Sequence, residues 1–166
     1  IEQGVDRMTR DELEKRNVGE NLDALMNLDP CGYGVCRILY AGSRAFTGEP
    51  LTMHAAQVLC DSVKENDLVY ILVGFVLLPH KVPEMDGTVS AMLLARALVM
   101  AFHAKPVIVC PADSVQAIEK CAAVVGLHIY EDLDTVQELP LSMGVVAFTK
   151  DKAAARDWDA CAEYVH

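Results

Sequence analysis

Four largely apolar runs lie in the second part of the chain, and turn residues bound each run. The runs lie at 68–75, 107–110, 127–130 and 143–148. Because these runs are apolar on both faces, they predict buried strands of a parallel sheet. The run at 68–75 is hydrophobic on both faces, and we expect it to be a central parallel strand.

Between and after these runs, the apolar positions follow helical spacing. Helices are predicted at 88–104, 114–125 and 152–164. Gly126 ends the second of them, since glycine readily adopts the left-handed conformation that closes a helix. Residues 131–140 are acidic and predict a polar connection. Alternating strands and helices predict an α/β fold with an open, mostly parallel sheet, Rossmann-like and three-layered.

The N-terminal part of the chain shows helical patterns without a strand. The predicted helices are a short exposed one that opens at a Thr9–Glu12 capping box, two at 21–28 and 35–46, and one capped by Thr52. We therefore expect a helical segment over 1–66, packed on an α/β core over 67–166. The last helix has no strand to follow it, so we expect the core to be an incomplete domain.

Charge narrows the range of partners. The 166 residues carry a net charge of −10, which disfavours nucleic acid and anionic membranes because both need a basic face. The apolar segment 88–104 comes nearest to a membrane span, but it carries Arg96 and His103. We expect a small-molecule ligand, no membrane and no nucleic acid. A homo-oligomer or a missing C-terminal half is also expected.

Cysteine usage indicates a reducing compartment. Six widely spaced cysteines predict reduced, buried thiols, and hence a cytoplasmic location, or the mitochondrial matrix in a eukaryote. Cys31 and Cys36 have no second Cys or His pair at zinc-finger spacing. The segment Gly32-Tyr33-Gly34 is too short for a phosphate-binding loop and reads as a turn. No metal and no cofactor is predicted.

Most of the unusual polar chemistry lies in the loop 79–88. This loop follows the strand 68–75, and open α/β sheets bind ligands beyond the carboxyl ends of their strands. Two prolines stiffen the loop and lower the cost of holding charges in place. Its charged residues are His80, Lys81, Glu84 and Asp86.

Two interpretations of these acids stand side by side. Asp86 can be the N-cap of the following helix, where acids are favoured. Alternatively, Glu84 and Asp86 bind a substrate or move protons, with His80 as a further acid or base. In that case the amides of Gly87 and Thr88 bind an anion at the start of the helix, and Lys81 adds a substrate contact.

Arg44 is a second candidate for binding an anion. It lies seven residues after Arg37, so both share one face of the helix predicted at 35–46. That face is either a solvated stripe or a cluster aimed at an anionic ligand. The second interpretation makes Arg44 a substrate-binding residue.

The motifs around the loop resemble those of a known family. The strand ends in Gly74-Phe75, the loop contains Pro79-His80 and Pro83, and Glu84-Met85-Asp86-Gly87 precedes an Ala/Leu-rich helix. This arrangement resembles the D-glutamate cyclase C-terminal family. The upstream segment 34–56 is similar to the helix pair of its bacterial members, and the resemblance spans about residues 20–150.

The chain also departs from that family. Met85 stands where the family has Thr, and Thr88 stands where it has Pro. The later motifs of the family do not occur, so the chain looks like the N-terminal half of the domain. The resemblance implies reversible dehydration of D-glutamate to 5-oxo-D-proline at the loop 79–88. The alternative is a non-catalytic α/β module that binds a small anionic metabolite.

Overall fold

The computed structural model describes residues 8–74, 76–77 and 82–148. It forms two compact units, Ile1–Ser62 and Val63–His166. The predicted strand 68–75 is only partly described, and the predicted helix 152–164 lies outside the described residues. The packing of the helical segment on the core stays a prediction.

Six strands and six helices are present in the part of the chain that the structure describes. The strands are β1 (Leu68–Leu72), β2 (Val76–Leu77), β3 (Val82–Pro83), β4 (Lys105–Pro111), β5 (His128–Tyr130) and β6 (Ser142–Phe148). The helices are α1 (Arg10–Met26), α2 (Val35–Thr47), α3 (Leu51–Ser62), α4 (Met85–Phe102), α5 (Val115–Val125) and α6 (Leu133–Glu138), with a 3-10 turn at Ala112–Ser114.

Four of the strands form one parallel sheet in the order β1-β4-β6-β5. The strands β2 and β3 pair separately as a short antiparallel ribbon. Each parallel neighbour needs a crossover connection, which α4, α5 and α6 supply. The predicted α/β fold with an open parallel sheet is therefore confirmed.

The position predicted for the first strand is wrong. Within the described sheet β1 lies at one end and pairs with β4 alone, whereas β4 pairs with both β1 and β6. The burial agrees, since β4 has six buried residues of seven while Leu72 of β1 is 79% exposed. An apolar run on both faces does not distinguish a central strand from an end strand.

Three predicted helix boundaries also need correction. The charged and apolar segments before Asn27 form one helix, α1, and its capping box at Thr9 is confirmed. The connection predicted over 131–140 contains α6, where Asp132 Oδ2 accepts from the Thr135 amide at 2.9 Å. Finally, α4 starts three residues earlier than predicted.

The helix α4 is the main apolar element behind the sheet. One face of α4 packs against β4 and α5 and buries residues at helical spacing, including Met92, Ala95 and Leu98. By length and composition α4 could also cross a membrane, and a core helix passes the same test. The opposite face is open, with Leu93 59% exposed.

A buried carboxylate organises the helical unit. Asp23 of α1 is 3% exposed and accepts from the amides of Leu51 and Thr52 at 2.7 and 2.9 Å. The Thr52 and Tyr40 hydroxyls donate to it at 2.7 and 3.0 Å. Asp23 therefore caps α3, and the prediction that Thr52 is the cap is wrong because α3 already begins at Leu51.

Hydrogen bonding decides the ionisation of Asp23. Burial alone would raise the pKa of this carboxyl, but the bonds from Thr52, Leu51 and Tyr40 favour the charged form and hold its pKa below the ordinary value. Burial and the bond to Asp23 raise the pKa of Tyr40 in turn. The helical unit is therefore stabilised by an ionised, buried aspartate.

A glycine allows close packing where β1 ends. A Cβ placed on Gly74 would lie 2.9 Å from Cδ of Pro111, the last residue of β4. The chain stays paired here, since the Val73 amide donates to the Val109 carbonyl at 2.9 Å. By contrast, a Cβ on Gly87 would meet nothing within 4 Å.

We expect Asp23→Asn to destabilise the helical unit in a pH-dependent way. The pKa of Asp23 is lower in the folded than in the unfolded state, so its contribution is complete above the unfolded pKa and is lost as pH falls through the folded pKa. The loss should be about 2 kcal/mol at pH 7, and it should shrink toward pH 3. Urea titrations followed by NMR signals of α1 and α3 measure it.

The exposed Asp61 of α3 provides the control for Asp23. Asp61→Asn should change the free energy of unfolding by less than about 0.5 kcal/mol at each pH. A difference between Asp23→Asn and wild type that stayed constant from pH 7 to pH 3 would contradict an ionised Asp23 cap.

We expect Gly74→Ala and Gly87→Ala to differ in sign. The methyl group at residue 74 must push the Pro111 ring away, so the free energy of unfolding should fall by about 1–3 kcal/mol. The methyl group at residue 87 has open space in a helix and should stabilise by up to about 1 kcal/mol. Chemical denaturation of both variants measures this, and equal effects would refute the close approach.

Candidate active-site cleft

A cleft of about 350 Å³ opens at the carboxyl end of β1. Its walls are the end of β1 with the two residues that follow, and the first three turns of α4. The lining residues are Ile71, Leu72, Val73, Gly74, Glu84, Asp86, Gly87, Ser90, Ala91 and Leu94. Three of the predicted site residues, Glu84, Asp86 and Gly87, are thus brought together on one wall.

The start of α4 explains why these residues face the cleft. Glu84 is the N-cap with extended backbone, and Asp86 and Gly87 occupy the first turn. Residues four apart share a helix face, so Ser90 follows Asp86 and Ala91 follows Gly87 along the wall. The interpretation of Asp86 as the N-cap is wrong, because the cap lies two residues earlier.

Neither acid of the cleft has a cationic partner among the described residues. No Lys, Arg or His nitrogen of that part of the chain lies within 4.0 Å of the Glu84 or Asp86 carboxylate. Glu84 is half-buried and Asp86 is exposed. Both carboxylates are therefore available to a ligand that carries a positive charge or an exchangeable proton.

The helix start also offers amide donors. The first amides of a helix have no partner inside it. Asp86 Oδ1 takes one of them, the Gly87 amide, at 2.6 Å. The amides of Met85 and Asp86 have no acceptor among the described residues. Acceptor-free amides beside carboxylates suit a zwitterion, since a carboxylate binds the amides and an ammonium binds the acids.

Thr88 lies behind the wall. It is fully buried, and its hydroxyl donates to the Glu84 carbonyl at 3.3 Å. It is not among the lining residues. The structure thus gives Thr88 a contact that fixes the first turn of α4, and its role in substrate binding stays a prediction.

The remaining predicted residues lie elsewhere. His80 and Lys81 fall outside the described residues. Arg44 belongs to the helical unit, where its Nη2 lies 2.5 Å from Glu20 Oε1. Arg44 Nη1 is buried without a hydrogen-bond partner in the described part of the chain. The ion pair with Glu20 replaces the solvated stripe as the observed environment of Arg44.

Some residues that line the cleft are not among those predicted from the sequence. Gly74 and Ser90 line the cleft, and the Met85 and Asp86 amides have no acceptor among the described residues, whereas the Gly87 amide donates to Asp86 Oδ1. Because α4 begins at Met85, Ser90 lies four residues after Asp86 and on the same face of the helix. A sequence prediction with this helix start would include Ser90 in the wall. Within the described ranges no group of three His, Cys, Asp or Glu side chains could hold a metal ion.

Comparison with known proteins identifies the family. No curated protein and no solved structure matches the chain. The model of the family described as D-glutamate cyclase-like, C-terminal, matches residues 22–162. This match covers most of the chain and includes the whole cleft wall. The chain therefore belongs to the D-glutamate cyclase-like, C-terminal family.

Proposed function

We propose that the cleft binds D-glutamate and closes it reversibly to 5-oxo-D-proline with loss of water. The observation that carries this proposal is the position of both acids of the motif Glu84-Met85-Asp86-Gly87 on one wall, without a cationic partner in the described chain. Membership of the D-glutamate cyclase-like family supports the choice of substrate.

The reaction needs two proton transfers. The amine nitrogen attacks the γ-carboxyl carbon, so a C–N bond forms and a C–O bond breaks. Before attack the ammonium group must lose a proton to become nucleophilic, and the departing oxygen must gain protons to leave as water. The nitrogen loses a second proton once the C–N bond has formed, and a carboxylate that passes each of the two protons in turn from the nitrogen to the departing oxygen balances the reaction.

The two acids differ in how they are held, and this difference supports a separate role for each. Asp86 Oδ1 is fixed by the Gly87 amide, so Asp86 is suited to bind the substrate ammonium. Glu84 makes no side-chain hydrogen bond within the described chain and is free to exchange protons. The Met85 and Asp86 amides would bind a substrate carboxylate or the oxygen charge that develops during attack.

His80, Lys81 and Thr88 remain part of the proposal as predicted. His80 is a further acid or base, and the other two are substrate contacts. Arg44 lies in the helical unit, and its role in binding an anion stays a prediction. Glu84 and Asp86 are the residues to substitute first, because the proposal gives them the proton transfer and the binding of the ammonium group.

We expect the two isosteric substitutions to affect different kinetic constants. Glu84→Gln removes the proton acceptor and should lower kcat by about 10²–10⁴-fold. Asp86→Asn keeps the shape and removes the charge that binds the ammonium, so it should raise KM about tenfold. NMR detection of 5-oxo-D-proline formed from D-glutamate measures turnover.

Glu119→Gln, on the exposed surface of α5, is the matched control and should leave both constants unchanged. Unaltered turnover in both cleft variants would refute the site. Calorimetric binding of D-glutamate without any turnover by the wild-type protein would instead favour the non-catalytic binding module.

A further inference from the structure

Lys105 is a buried cation that has no counter-ion among the described residues. It opens β4, and only 8% of the residue is exposed. No carboxylate of the described residues lies within 4.0 Å of its ammonium group. A buried charge is costly unless an opposite charge accompanies it. This position therefore calls for an anion that the described chain does not supply.

The hydrogen bonds of Lys105 leave donor capacity unused. Its Nζ donates to the Leu139 carbonyl at 2.6 Å and to Ser142 Oγ at 3.4 Å, the second being longer than a normal bond. Ser142 Oγ lies 2.6 Å from both the Val136 and the Leu139 carbonyl oxygens, which occupy its one proton. Within the described part of the chain, the ammonium group thus has one close acceptor for three N–H groups.

Lys105 and Ser142 line a cavity of about 460 Å³ at the amino ends of β4 and β6. In a parallel sheet all amino ends share one edge, so this cavity lies at the opposite edge from the cleft of Glu84 and Asp86. The walls come from segments 65–66, 99–105 and 137–142. It shares no lining residue with the cleft.

Backbone strain is concentrated around the same cavity. In the described chain, three residues other than glycine have left-handed backbone, namely Asn66, His103 and Leu141, with φ of 66°, 53° and 52°. All three line this cavity. Asn tolerates this conformation and His103 ends α4, but a bulky Leu is unusual there. Residues held in unfavourable backbone conformations cluster at ligand-binding sites.

The charges around the cavity select the ligand. Exposed Glu65 and Glu138 line it together with buried Lys105. One buried ammonium group suits one carboxylate, whereas the two glutamates repel a multiply charged anion such as phosphate. We propose that this cavity is a second ligand site, which binds a small monocarboxylate through Lys105 Nζ, independently of the D-glutamate cleft.

An NMR titration with acetate tests the site directly. Acetate, added to the ¹⁵N-labelled full chain at constant ionic strength against sodium chloride, should shift the amide signals of Lys105, Leu141 and Ser142. Signals that shift equally with chloride, or shifts confined to the cleft residues 84–90, would overturn the proposal. Since the readout is local, it does not depend on any turnover at the cleft.

Substitution of the lysine tests its role. Lys105→Gln keeps a donor for the Leu139 carbonyl and removes the charge, so the dissociation constant for acetate should rise about tenfold or more. Lys120→Gln, on the exposed surface of α5, should leave it unchanged. If Lys105→Gln does not fold, the acetate titration of the wild-type protein still tests whether the cavity binds a carboxylate. Unchanged acetate affinity in a folded Lys105→Gln variant would refute the assignment.

Inorganic phosphate tests the ligand class. Phosphate at pH 7.5, added at the same concentration as acetate, should not displace it, because a dianion is repelled by Glu65 and Glu138. Displacement of acetate by equimolar phosphate would overturn the preference for a monocarboxylate.

Discussion

The parallel pairing of β4 with β1 on one side and β6 on the other is the constraint on which the α/β unit depends. Parallel neighbours place all carboxyl ends at one edge, so the chain must leave β1 at that edge and return through a helix. The helix α4 therefore has to begin beside the end of β1. That requirement brings Glu84 and Asp86 to the cleft. Their position therefore follows from the strand pairing and does not depend on a bound ligand.

Burial of α4 then fixes the orientation of the wall. The residues that pack against β4 and α5, with Met92 and Ala95 among them, determine how the helix is rotated about its axis. Once that face is buried, Asp86 and Ser90 fall on the cleft side by helical spacing. Thr88, fully buried one residue beyond Gly87, ties the first turn to the Glu84 carbonyl. A core requirement thus positions the polar side chains.

Local signals in the sequence were enough for features that depend on neighbouring residues. The Thr9 capping box and the end of α5 at Gly126 are of this kind, and both are confirmed. Features that depend on distant residues were missed. Asp23 caps a helix that begins 28 residues later, and the end position of β1 depends on the partners of β4. The start of α4 differs from the prediction as well. The helix α6 is a different case, because its N-cap Asp132 is a local signal that can be read in the acidic segment.

A structure of the protein bound to 5-oxo-D-proline tests the central claim most directly. We expect the lactam between the end of β1 and the first turn of α4. Its carboxylate should accept from the Met85 and Asp86 amides, and its ring nitrogen should face Glu84. Product bound at another place, with the cleft free of ligand, would contradict the assignment of this cleft as the active site.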